Sequence, residues 1–154
     1  MTSGRLLVIA IVGITAIFAG AQWWFQTRAF YEEVELPQLP VTLADGSNIV
    51  LVLMLAEAID AESSPLRFRA CLNVDGGISD RLVEQAQPYP DATPLNGPGW
   101  FECYNAAEIG AALEAGEATP ILIEPNISRG VDRVMAIYPT GRAYVWHQLN
   151  GTLE

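Results

Sequence analysis

The sequence predicts an α+β architecture: one N-terminal transmembrane helix, then a small, mainly antiparallel-sheet domain with two short helices. Three observations predict it. Residues 6–25 form a single uncharged apolar run. The remainder carries several short strand patterns that end in a clear hairpin, residues 131–138 and 142–149 joined around Pro139-Thr140-Gly141. Two capped helical stretches lie between these strands, each too short to build a domain alone.

The apolar run reads LLVIAIVGITAIFAGAQWWF. At about 1.5 Å per residue a helix of this length is about 30 Å long, the thickness of a bilayer's hydrocarbon core. A lone span in lipid must satisfy its own backbone, so it is helical. Trp23, Trp24 and Phe25 close the run with rings that favour the headgroup level. Gly13 and Gly20 are seven residues apart, nearly on one helix face, where small side chains let another helix approach. Arg5 precedes the run and Arg28 follows it, so positive charge alone does not orient it. The short tail, residues 1–5, and the cysteine pair favour a cytoplasmic N-terminus and a periplasmic C-terminal domain in a bacterial inner membrane. The competing reading is a cleaved signal peptide, for which Ala19-Gly20-Ala21 supplies a small-residue site. Both readings export the domain.

Residues 26–40 read as a linker, since Pro37 and Pro40 disfavour helix. The domain proper is expected over 41–154. Residues 41–44 and 49–55 read as strands around Asp45-Gly46-Ser47; the second is solidly apolar, which fits a buried strand or a short helix, and its flanking turn residues favour strand. Residues 66–72 alternate, with Leu66, Phe68, Ala70 and Leu72 on one face and Arg67, Arg69 and Cys71 on the other. Ser79 is expected to cap a helix over 80–87, and a loop with four prolines covers 88–98. Asn105 with Glu108 caps a second helix ending at Gly116, and residues 119–124 form another apolar strand.

Charge narrows the partners. The formal net charge is -10, all eight basic residues are arginine, and all eighteen acids lie beyond residue 31. Such a surface repels phosphate backbones, which excludes nucleic acid as an expected partner. Cys71 and Cys103 are the only cysteines, and an even pair in an exported domain predicts a disulfide worth about 3 kcal/mol. Two buried free thiols are the alternative.

Catalytic machinery is not evident. His147 is the only histidine, there is no GxSxG elbow, and no phosphate loop or dinucleotide fingerprint occurs. No cofactor or metal is expected: one histidine and two disulfide-committed cysteines cannot build a zinc site, and the acids show no EF-hand spacing. His147 is expected to be structural, and Arg67, Arg69 and Arg133 to pair with acids.

Residues 59–71 (IDAESSPLRFRAC), 98–103 (PGWFEC), 109–117 (IGAALEAGE), 130–134 (GVDRV) and 141–150 (GRAYVWHQLN) resemble an uncharacterised family of small alphaproteobacterial membrane-anchored proteins. The family is a domain of unknown function sometimes mislabelled as a histidine kinase. No ATP-binding or phospho-acceptor motif supports that label here, and the resemblance implies no activity.

Two functions remain as expectations. One is a non-catalytic accessory or assembly subunit of a larger respiratory or photosynthetic membrane complex, with Gly13, Gly20, Trp100 and Phe101 as candidate partner contacts. The other is a stand-alone periplasmic sensing or ligand-binding module.

Overall fold

The computed structural model describes residues 2–28, 30–53 and 55–152. Met1 of the expected tail, Ala29 of the expected linker, Met54 of the expected second strand and the last two residues lie outside them. The chain divides into two units, Met1–Tyr31 and Glu32–Glu154.

The first unit is built on α1, Thr2–Thr27. The stretch Ser3–Thr27 is long and apolar enough to cross a membrane, a property that signal sequences share. Its side chains from Ser3 to Gln26 are exposed, and Thr15 and Thr27 return their hydroxyls to the Ile11 and Trp23 carbonyls.

The second unit is an α+β fold. Its strands are β1 Glu32–Glu33, β2 Gln38–Thr42, β3 Asn48–Val52, β4 Ala56–Asp60, β5 Arg69–Asn73, β6 Thr119–Ser128, β7 Val131–Ile137 and β8 Arg142–Leu149. Between β5 and β6 lie α2, Gly76–Gln85, and α3, Ala106–Glu114. Six strands form one antiparallel sheet in the order β1-β4-β5-β8-β7-β6, and β2 and β3 form a separate hairpin.

Alternation along the strands sorts the side chains into two layers. Cross-strand partners Ala70, Val145, Met135 and Ile121 share one face with Leu72, Ala143 and Ile137. That face packs against Leu39, Val41, Leu51 and Leu53 of the β2–β3 hairpin and Leu82 of α2. The other face carries Ile59, Arg69, Trp146, Val134 and Leu122 in one row, and all five are buried. Residues 91–104 attach to this second face. The Arg69 guanidinium donates to the Leu95 and Asn96 carbonyls, the Tyr104 ring meets Tyr144 edge-on at 6.1 Å, and Cys103 bonds Cys71.

Four expectations need correction. The sheet begins inside the expected linker: β1 pairs with β4, and Leu39 is fully buried, so the proline-rich stretch is extended strand rather than spacer. The run after the Asp45 turn is only half-buried, because among the described residues β3 pairs with β2 alone; Leu51 and Leu53 face inward while Val50 and Val52 face outward. Asp75, not Ser79, caps α2, accepting from the Gly77 amide. Ser79 is instead buried and donates to the Tyr138 carbonyl. Finally, β4 has no counterpart in the sequence reading; its five residues gain their place from neighbours on both sides rather than from a turn signal.

Candidate functional site

Gln148 of β8 stands directly opposite Asp132 of β7, at the end of the face covered by residues 91–104. Beside this pair a cleft of about 740 Å³ opens, bounded also by Tyr89, Asp91, Thr93 and Asn150. The loop of prolines reaches the cleft because Tyr89 N donates to Pro120 O of β6, extending the edge by a short bridge at Pro88.

Both floor residues are almost wholly buried, and their polar atoms are bonded. Gln148 Oε1 accepts from the Thr93 amide at 2.8 Å and from Trp146 Nε1 at 2.9 Å, and Nε2 donates to the Asp91 carbonyl at 3.0 Å. Asp132 Oδ1 accepts from the Asn126 amide and from Asn150 Nδ2, both at 2.8 Å. Tyr89 donates its hydroxyl to Asp132 Oδ2 at 3.2 Å. Burial, with the Asp132 charge behind it, pushes the Tyr89 phenol up to about 12, so it stays a donor at neutral pH. Asn126 sits at φ 50, a conformation that asparagine tolerates, where the register between β6 and β7 shifts. These bonds clamp a loop onto the sheet; the chemistry they leave to the cleft is hydrogen bonding through groups already oriented.

His147 lies on the other face, capping one end of the apolar core. Its ring stacks on Phe68 at 4.6 Å. Arg133 Nε donates to Nε2 at 2.9 Å, so Nδ1 carries the proton and donates to the Pro65 carbonyl at 2.7 Å. Burial, opposed by that carbonyl and aided by the Arg133 and Arg69 charges, pushes the imidazole down to about 4. Both ring nitrogens are therefore committed to the fold. Arg133 also pairs with Glu124 at 3.2 Å, the acid pairing expected of Arg67, Arg69 and Arg133 alike. Arg69 takes a different course, donating to the Leu66, Phe68, Leu95 and Asn96 carbonyls.

The other singled-out residues are dispersed. Cys71 and Cys103 form a disulfide with a Cα–Cα distance of 6.3 Å. Phe101 is core, whereas Trp100 is half-buried and borders a second cleft of about 680 Å³ with Glu33, Glu35, Glu57 and Glu102. Trp23, Trp24 and Phe25 are exposed at the end of α1. A Cβ at Gly13 or Gly20 would meet nothing within 4 Å. Among the described residues no three His, Cys, Asp or Glu side chains group as metal ligands. The Tyr89–Asp132–Gln148 cleft was not read from the sequence. Asp132 and Gln148 are polar residues at the ends of mostly apolar strands of the terminal hairpin, opposite each other, and that polar intrusion is the signal that could have found them.

Fold and site together define a disulfide-pinned α+β domain that follows a single apolar helix. The chain belongs to a family of unknown function, DUF6446, whose model matches residues 39–154. No curated protein and no solved structure matches it.

Proposed function

We propose that this chain is a non-catalytic single-pass membrane protein, an accessory or assembly subunit of a larger membrane complex, with its domain on the exported side. The observation that carries the reading is α1, a 26-residue helix whose apolar surface is exposed along its length. The open stripe at Gly13 and Gly20 suits a docking helix. The disulfide suits an oxidising compartment. The engaged nitrogens of His147 argue against its use in proton transfer.

The test is mild-detergent extraction of native membranes, native gel separation and mass spectrometry of each band containing the chain. Migration with one large complex in constant ratio is the expected result. A band at monomer or dimer size sinks the subunit reading, and an intact mass lacking the first 21 residues sinks the anchor itself.

The Asp132–Gln148 cleft favours a second reading, a stand-alone sensing or ligand-binding module on the same exported side. A small polar molecule that raises the melting temperature of the wild type but not of Asp132→Asn would promote this reading over the first.

A further inference from the structure

We propose that the outer face of the β2–β3 hairpin is a membrane-contact surface that seats at the headgroup level of a lipid bilayer. The inference rests on the reading of α1 as a retained anchor. Register defines the face: Pro40 lies opposite Val50 and Gln38 opposite Val52, while Leu39, Leu51 and Leu53 turn inward to the core. Val50, Val52 and Leu55 are 60%, 74% and 79% exposed. They belong to an uncharged stretch, residues 46–56, in a unit that otherwise holds eighteen acids and six arginines. Apolar β-branched strand residues with a free edge are a liability in water, and folded proteins cover such edges.

The occupant follows from chain length. Only residues 28–31 separate the last residue of α1 from β1, and four extended residues span at most about 14 Å. A headgroup layer is about 5–8 Å thick on each side of the hydrocarbon. β1 is thus held within about one domain radius of the bilayer by covalent reach alone. The apolar face begins close to that tether. Val34 N donates to Ala58 O just after β1, and three residues later Pro37 O accepts from Leu53 N beside Val52. A surface so tethered meets lipid at a high effective concentration, whereas a soluble partner must be recruited. The outer edge of β3, which pairs with no strand among the described residues, sets the depth. Its amides and carbonyls need water or headgroup partners, so the strand rests in the interface and not in the hydrocarbon.

The test uses the full chain in phosphatidylcholine vesicles containing a tail-labelled lipid. A benzophenone amino acid replaces Val52, Ile14 of α1 or the exposed Glu114 of α3 in three separate samples. After illumination, a lipid adduct is expected at Ile14 and at Val52, the latter on the order of tenfold above Glu114. A lipid adduct at Ile14 with a chain–chain adduct, or no adduct above the Glu114 level, at Val52 overturns the inference while leaving the anchor intact. Absence of lipid adduct at Ile14 removes the anchor and the inference together. Val52 is exposed enough to accept the probe without unfolding, and an unchanged circular dichroism spectrum checks this.

Discussion

The hairpins β2–β3 and β7–β8 start from the same turn and end in different surroundings. In each, a three-residue loop is closed by paired backbone bonds: Leu43 N to Ser47 O with Gly46 N to Leu43 O, and Tyr138 N to Arg142 O with Gly141 N to Tyr138 O. In each the glycine is left-handed, at φ 83 and 84. Both second strands carry mostly apolar side chains, Ile49 to Val52 in one and Ala143 to Trp146 with Leu149 in the other. Yet β8 lies between β5 and β7 and buries Val145 and Trp146 completely, while β3 has one neighbour and leaves Val50 and Val52 in the open. A turn and an apolar run specify a hairpin; how many faces it buries depends on strands far away in sequence.

The sharpest way to break this comparison is to truncate one side chain in each hairpin. Trp146→Ala should cost about 3–5 kcal/mol and Val52→Ala no more than about 0.5, measured by urea unfolding of the full chain in detergent with circular dichroism. A loss above about 2 kcal/mol at Val52 would mean that the outer face is covered in detergent as well. Next in size is the disulfide, which ties residue 103 to β5 beside β8 and has no equivalent near β3. Replacing both cysteines with serine should lower stability by about 3–4 kcal/mol and abolish any further effect of reductant.

The third prediction concerns the polar cap at the end of the core. An unfolded imidazole takes its proton near pH 6.5, whereas folded His147 does so at about 4. Between those values the unfolded state holds the extra proton, so stability falls as pH falls through the window, by about 3 kcal/mol at its lower end. His147→Gln should flatten the profile between pH 6.5 and 4; an unchanged slope would assign the effect to other groups. Smallest is the contrast between the turn glycines. A Cβ at Gly141 would run into the Val74 carbonyl oxygen, whereas one at Gly46 meets open space. Gly46→Ala should cost about 1 kcal/mol from its backbone angle alone, and Gly141→Ala about 2 kcal/mol more. Equal melting temperatures for the two variants would show that the sheet gives way around Val74.

Much of this fold is legible along the chain because its signals are local. Asn105 and Glu108 announce α3, Gly46 and Gly141 announce their turns, and alternation over residues 66–72 places Phe68, Ala70 and Leu72 on the core face. Where reading fails, the deciding partner is remote. Glu32 and Glu33 become a strand only because β4 offers an edge, and Asp75 displaces Ser79 as cap because Ser79 finds the Tyr138 carbonyl 59 residues away. The candidate cleft was the least legible part. Gln148 and Asp132 acquire meaning from Asp91, Thr93 and Tyr89, which reach them across a loop without periodicity.

The sequence by itself determined the elements with local signals: an uncharged run of membrane-spanning length, the two short helices, the terminal hairpin, and the single cysteine pair. Those features depend on neighbours within a few residues, or on there being one pairing to make. Tertiary structure alone decided burial and position. It decided that His147 serves the core, that Arg69 binds carbonyls, that Trp100 keeps some surface while Phe101 does not, and that one face of an apolar strand stays open. Burial is a property of what lies opposite, and here what lies opposite comes from distant parts of the chain.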